Sequence, residues 1–173
     1  MIYNTTENTG NEHINAMRRA FEHRATWFAL LVGEAKKRGL DISFARDAIW
    51  TCGCRDGEFK FDPNCTDIEE FTNVFATEDI KNIFDMDCVV DKENNKLTCT
   101  FHYCPLVAAW EKLGLSEDEI NVLCDVAMDG DRAIAAKNPN MVFELGDTIG
   151  AGCKTCVASF TINAPKAEEE VAE

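Results

Sequence analysis

Residues 98–110, Thr-Cys-Thr-Phe-His-Tyr-Cys-Pro-Leu-Val-Ala-Ala-Trp, contain a cysteine and a histidine at a spacing that suits nucleophilic chemistry. Side chains alternate over residues 97–103, which predicts a strand, and Pro105 suits the first position of a following helix. Cys104 would then be the helix N-cap, where the positive end of the helix dipole favours a thiolate. His102 shares its face of the strand if the pleat continues. Cys104 as nucleophile and His102 as base is one interpretation; a half-buried cysteine beside a surface histidine is the other.

A carboxylate from the neighbouring strand would be able to orient His102. Alternating segments over residues 82–90 and 96–103, joined by the polar residues 91–95, predict a β-hairpin. A register that pairs Cys88 with Cys99 across the two strands places Asp85 opposite His102. Asp85, His102 and Cys104 would then form a row that resembles a catalytic triad. A register slipped by two residues brings Asp87 to His102 instead. A polar sheet face that only meets water is the alternative.

Hydrophobic periodicity predicts the elements that must position these residues. Helices are predicted over about 11–38, 41–51, 105–113 and 116–137, and two further strands over 141–145 and 153–162. Gly53 and Gly57 are expected to end the second helix, and residues 55–70 to form a loop. The order of helices, hairpin, helices and hairpin predicts an α+β fold, with helices packed on one face of an antiparallel sheet of about four strands.

Composition narrows the classes of partner. The 173-residue chain carries a net charge of −14, which argues against nucleic acid and anionic membranes because both bind basic surfaces. No apolar run approaches the roughly 20 residues that span a bilayer, and the polar start of the chain resembles no signal peptide. We therefore expect a cytoplasmic protein that acts on a small molecule, with a homo-oligomer left open. Residues 1–10 are expected to be flexible, 11–162 to form one domain, and 163–173 to be a disordered acidic tail.

Nine cysteines make the chain cysteine-rich, and their odd number argues against a disulfide framework. Most are expected to be small core residues, with no cofactor bound. The alternative is a zinc or iron–sulfur site, for which the spacing supplies four candidate ligands. These are Cys52, Cys54, Cys153 and Cys156.

Several motifs in the second half resemble the L-2-amino-thiazoline-4-carboxylic acid hydrolase family. They are Tyr-Cys-Pro-Leu at 103–106, Trp-Glu-Lys-Leu-Gly-Leu at 110–115, Leu-Cys at 123–124, and a Gly-rich turn before a final strand that contains cysteine. The resemblance covers roughly residues 11–162. The last segment departs from the usual Gly-Asp-x-x-Cys-x-Phe ending, since its aspartate is missing and its cysteine lies further from Phe160.

The resemblance implies a hydrolase of cysteine metabolism, which opens a cyclic amidine-like C–N or C–S bond to give carbamoyl-cysteine. Attack at C2 would come from Cys104, or from a water that His102 activates. Asp85, or Asp87, would orient His102.

The same resemblance implies a pocket on the neighbouring helix, where Cys124 and Asp131 would lie one above the other. A bend at Gly130 that turns Asp131 outward is the alternative. The helix start at Pro105 would attract the substrate carboxylate, and Arg132 or Lys154 would serve as a cation for it.

A binding module without catalytic activity is the competing hypothesis. The order of helices and hairpins also looks like that of vinyl-reductase-type sensor domains, which bind ligands and need no nucleophile. Such a small-molecule or metal-binding domain would use its cysteines as ligands or as pocket lining.

Overall fold

The computed structural model describes residues 1–164, so the predicted disordered tail lies, from residue 165 onward, outside the described residues. The helices are α1 (Glu12–Lys37), α2 (Ser43–Lys60), α3 (Ile68–Phe75), α4 (Glu78–Phe84), α5 (Pro105–Lys112), α6 (Glu117–Ala127) and α7 (Asp129–Ala136). The strands are β1 (Met86–Asp91), β2 (Lys96–Phe101), β3 (Met141–Leu145) and β4 (Cys156–Ile162), and a 3-10 turn spans Ile149–Ala151. Over residues 1–164, no helix is long and apolar enough to cross a bilayer.

The four strands form one antiparallel sheet in the order β1-β2-β4-β3. Cys88 lies opposite Cys99, as the predicted register requires, and Leu97 lies opposite Phe160 in the centre of the sheet. Leu97, Cys99 and Phe160 are buried on the inner face, whereas Val89 on the outer face is exposed. The predicted α+β fold, with helices on one face of the sheet, is therefore confirmed.

Capping residues fix the predicted starts of three helices. The Asn11 side chain accepts hydrogen bonds from two backbone N–H groups at the start of α1. Ser116 and Glu119 form the predicted capping box of α6. Pro105 occupies the first turn of α5, with Cys104 as the N-cap.

Arg18 is a buried cation that ties α1 to the junction of α4 and β1. Its guanidinium donates to the carboxylate of Asp85 at 2.8 Å and lies over the ring of Tyr103, 4.7 Å from the centroid. It also donates to three backbone carbonyls, those of Asn8, Asn82 and Ile83. These partners satisfy a charge that burial would otherwise penalise, and they hold Asp85 in its left-handed conformation, φ 45°.

Helix α2 is longer than predicted, because Gly53 and Gly57 lie inside it rather than at its end. A Cβ atom on Gly53 would lie 2.2 Å from the carbonyl oxygen of Gly130, and one on Gly57 would lie 2.8 Å from the side chain of Lys137. The two glycines therefore allow α2 and α7 to pack closely. Residues 55–60, predicted as loop, are helical for the same reason.

Two other predicted elements are divided in the structure. The segment predicted as a strand from residue 82 is helical up to Phe84, and β1 begins only after Asp85. The helix predicted over 116–137 breaks at Met128 into α6 and α7. Asp129 starts α7 and is buried, with its carboxylate held by two arginines.

The close approach of α2 and α7 predicts opposite effects of the same change at two helical glycines. Gly53→Ala should lower the free energy of unfolding by about 1–3 kcal/mol, because the new methyl group meets backbone atoms that cannot move aside. Gly33→Ala in α1, where no atom lies within 4 Å, should raise it by up to about 1 kcal/mol. Urea denaturation followed by circular dichroism measures both. Equal effects would contradict the packing role of Gly53.

Candidate active site

A cavity of about 320 Å³ lies between the helices and the inner face of the sheet. Three thiols face it, from Cys104 at the start of α5, Cys124 on α6 and Cys156 on β4. Asp131 on α7 and Arg24 on α1 also line it. Most of the remaining wall is apolar and includes Phe21, Phe75, Phe84, Phe101, Leu106 and Trp110. The cavity therefore combines nucleophilic, acidic and basic groups with apolar walls that suit a small ring.

Cys104 is the thiol that sequence reasoning selected, and it faces this cavity. The backbone N–H groups of Val107 and Leu106 at the helix start lower the pKa of this thiol, as expected there. Burial nevertheless raises the pKa of Cys104 to about 12, because the thiolate loses its hydration. The helix start thus favours the thiolate, but not by enough to lower the pKa of Cys104 in the free protein. Desolvation outweighs the dipole.

The Gly-rich loop before β4 holds the other two thiols. The N–H of Ile149 donates to the sulfur of Cys156 at 3.1 Å. A Cβ atom on Gly150 would lie 2.5 Å from the Cβ of Cys124, so only glycine allows the 3-10 turn to sit against this thiol. Burial raises the pKa of the Cys124 thiol. It also raises the pKa of the Cys156 thiol, to about 12. Sequence reasoning missed this role of the loop, for which the clustered glycines were the only signal.

His102 is placed away from the cavity. Its Nε2 lies 2.9 Å from the carboxylate of Asp87, and both side chains are exposed on the outer face of the sheet. The predicted register is present, since the N–H of His102 donates to the carbonyl of Asp85, but the Asp85 carboxylate pairs with Arg18. His102 keeps the outward direction of Thr98 and Thr100, and the pleat does not continue to Cys104, which faces the cavity instead. The row of Asp85, His102 and Cys104 does not form.

Asp131 lies on the cavity wall together with Cys124. Burial raises the pKa of this carboxyl group to about 7, against the opposing effect of Arg132 and Arg24. Asp131 is thus able to exchange a proton near neutral pH, which is the property of a general acid or base.

Arg132 belongs to a different group of charges. Its guanidinium donates to the carboxylates of Asp125 and Asp129, and Arg46 from α2 pairs with the same two carboxylates. These contacts tie α2 to α6 and α7. Arg132 does not line the cavity, and so its expected role in binding the substrate carboxylate is not supported.

Arg24 is a cation at the cavity, and the sequence did not single it out. Its guanidinium lies 4.6 Å from the centroid of Phe21. Within residues 1–164 it forms no ion pair, whereas the neighbouring Lys60 is paired with Asp56 at 3.0 Å. Arg24 is therefore available to an anionic ligand.

The four cysteines of the alternative metal site do not come together. Cys52 and Cys54 lie in the middle of α2 and not at its exit, since the helix continues to Lys60. Cys156 is the first residue of β4, and Cys153 lies in the loop between the 3-10 turn and this strand. In the described part of the chain, no three His, Cys, Asp or Glu side chains are placed to hold a metal ion. The structure therefore gives the zinc or iron–sulfur alternative no support at these four residues.

Comparison with protein families gives one match, which covers most of the chain. Residues 18–160 match the family model described as L-2-amino-thiazoline-4-carboxylic acid hydrolase. The chain belongs to this family. No curated protein and no solved structure matches it at a significant level.

The segment that precedes the region matched by the hydrolase family reaches Cys104. The Asn4 side chain accepts from the N–H of Cys104 at 2.8 Å and donates to its carbonyl at 2.9 Å. Ile2 packs against the apolar cluster around Trp110, and the carbonyl of Asn8 accepts from Arg18 at 2.7 Å. Residues 1–10 form no helix or strand, yet these contacts hold them across the start of α5; their flexibility stays a prediction.

The contact between Asn4 and Cys104 predicts a change in thiol reactivity. Asn4→Ala should raise the rate at which iodoacetamide alkylates Cys104 several-fold, because the backbone of the buried thiol loses two hydrogen bonds. Asn8→Ala is the matched control, since that side chain makes only a 3.5 Å contact with Asn82 and does not touch Cys104. Mass spectrometry of tryptic peptides measures the rate at each cysteine. An equal rate in the two variants would show that Asn4 does not restrain the thiol.

Proposed function

We propose that the protein hydrolyses a small cyclic isothiourea that carries a carboxylate, with L-2-amino-thiazoline-4-carboxylate as the model substrate and N-carbamoyl-cysteine as the product. Membership of the family supports this reaction. The observation that carries the proposal is that one cavity holds the thiol of Cys104, the carboxyl group of Asp131 and the guanidinium of Arg24. These groups match the electrophilic carbon, the amidine and the carboxylate of such a substrate.

Charge complementarity orients the substrate. Its carboxylate pairs with Arg24, which has no ion-pair partner within the described residues and offers a planar pair of N–H donors. Its exocyclic and ring nitrogens donate to Asp131, whose carboxylate form is stabilised by the positive charge of the amidine. The thiazoline ring then lies against apolar wall residues such as Leu106 and Trp110.

Cys104 opens the ring by attack at C2. The thiol proton passes to Asp131, the sulfur of Cys104 bonds to C2, and the bond from C2 to the ring sulfur breaks. The ring sulfur leaves as a thiol and takes up the proton. Water then attacks the same carbon, the bond from C2 to Cys104 breaks, and N-carbamoyl-cysteine is released as the Cys104 thiol re-forms. The sum is the addition of one water molecule.

The raised pKa of Cys104 requires that its proton leave only after the substrate has entered. A cationic amidine beside the sulfur lowers the pKa of the thiol, and Asp131 supplies a base on the same cavity. In an alternative route Asp131 activates water directly and no covalent bond to the protein forms. A mass increase on Cys104 during turnover distinguishes the two routes.

Loss of the thiol tests the proposal. Cys104→Ala should lower the rate of carbamoyl-cysteine formation by at least about a hundredfold, because the nucleophile is gone. Cys54→Ser changes a thiol on α2 that does not line the cavity and is the matched control, with a rate close to that of the unchanged protein. Mass spectrometry of the reaction mixture measures the product. Full activity of Cys104→Ala would remove this residue as the nucleophile.

Asp131 should affect activity and stability in opposite directions. The pKa of its carboxyl group is about 7 in the folded protein and about 3.9 in the unfolded chain. Between these values the folded protein holds a proton that the unfolded chain releases, so stability falls as the pH rises from about 4 through 7. Asp131→Asn removes this loss of stability at high pH, because the amide does not titrate. We expect it to melt several degrees above the unchanged protein at pH 8 and at nearly the same temperature at pH 4, while turnover is lost.

Differential scanning calorimetry at the two pH values gives the melting temperatures. A lower melting temperature for Asp131→Asn at pH 8 would contradict the proposed environment of this carboxyl group, whatever its activity.

A ligand-binding module without catalysis is the second candidate function. The observation that favours it is that burial raises the pKa of Cys104, Cys124 and Cys156, which leaves three neutral thiols as cavity lining. Under this reading the aminothiazoline carboxylate binds and is recovered unchanged. Calorimetric titration with product analysis on the same sample separates binding from turnover.

A further inference from the structure

A second cavity of about 240 Å³ adjoins the one that holds the thiols. Five residues line both cavities and mark the junction between them: Arg24, Asp56, Leu106, Ala127 and Asp131. Asp131 therefore faces both spaces. The second cavity extends from this carboxyl group between α1, α2 and α7, away from Cys104.

The walls of this second cavity beyond the junction are apolar. Phe28 from α1, Ile49 from α2 and Ile134 from α7 provide its side chains, and Gly130 leaves one part of the wall open. An apolar wall of this kind favours an apolar ligand group, because each methylene moved out of water contributes about 0.8 kcal/mol. A water molecule takes up about 30 Å³ in the liquid, so the volume of this cavity is that of roughly eight water molecules.

We propose that the substrate is a cyclic isothiourea carboxylate with an apolar group, such as benzyl or butyl, on its exocyclic nitrogen. This proposal rests on the function proposed above, and it adds the substituent that the second cavity would take. The exocyclic nitrogen bonds to Asp131, which lies at the junction, so a group on that nitrogen continues directly into the second cavity. The reacting carbon stays beside Cys104.

The chemistry is unchanged by the substituent. Attack at C2 breaks the bond to the ring sulfur, water replaces Cys104 on that carbon, and the product is a cysteine whose amino nitrogen carries an N-substituted carbamoyl group. One water molecule is consumed for each ring opened. No further reactant is needed.

The test compares 2-amino-thiazoline-4-carboxylate with its N-butyl and N-benzyl derivatives. We expect kcat/KM to be at least about tenfold higher for the N-benzyl compound, mainly through a lower KM. Gly130→Leu fills the second cavity, and a Cβ atom there meets only Ile49, at 3.7 Å, so the helix itself accepts the change. This variant should lose the preference for the N-benzyl compound. Gly33→Leu, on open surface of α1, is the matched control and should keep it.

Ile49→Phe fills the same space from the other wall and serves as a second variant if Gly130→Leu does not fold. Hydrolysis of the unsubstituted compound with slower hydrolysis of both derivatives would overturn this proposal and leave the proposed function standing. Loss of all three activities to the same extent in the filled variants would also overturn it. If none of the three compounds is hydrolysed by the unchanged protein, the proposed function itself fails.

Discussion

The buried guanidinium of Arg18 is the contact on which the placement of the site depends. One charged group has to be satisfied by four acceptors at once, and those acceptors come from the N-terminal segment, from the end of α4 and from Asp85. The same side chain lies under Tyr103, which directly precedes the N-cap of α5. The start of α5, and with it Cys104, is therefore fixed by a network that begins on α1. Breaking such a network is costly, because the charge would remain buried without partners.

Exclusion of water sets the chemistry of the cavity. It raises the pKa of the Cys104 thiol and of the Asp131 carboxyl group, and so both groups are neutral more often than they would be in water. A cationic amidine would reverse both shifts on entry, since its charge favours a thiolate and a carboxylate beside it. The nucleophile would thus form only where and when substrate is present, which limits side reactions of a reactive thiol. Arg24 is exposed at the cavity, and it can attract the substrate without any change of its protonation state.

How much of this could be predicted from sequence depends on whether the signal is local. Caps such as Ser116 with Glu119, and alternation along β2, are set by neighbours in the chain, and these predictions hold. Gly53 was misassigned because its role is to accept the backbone of α7, a contact between distant residues. The position of Cys104 at a helix start was predictable, but its pKa was not, because desolvation depends on packing from several elements. The pairing of His102 with Cys104 failed for a related reason, since the chain turns after β2 and only Cys104 faces the cavity.

The arrangement also explains why the site is assembled from many elements. A cavity that raises the pKa of Asp131 and of three thiols needs walls from several elements, and no single helix or hairpin can supply them. The sheet supplies the floor with Cys156, α5 to α7 supply the reactive groups, and α1 supplies Arg24. Close packing of α2 on α7 through glycine backbone keeps the far wall in place while leaving space beside Asp131. Burial of the Asp131 carboxyl group lowers the stability of the fold, because a neutral side chain of the same shape would be less costly to bury. The position of Asp131 at the junction of the two cavities is what a binding or catalytic role requires and what a purely structural role does not.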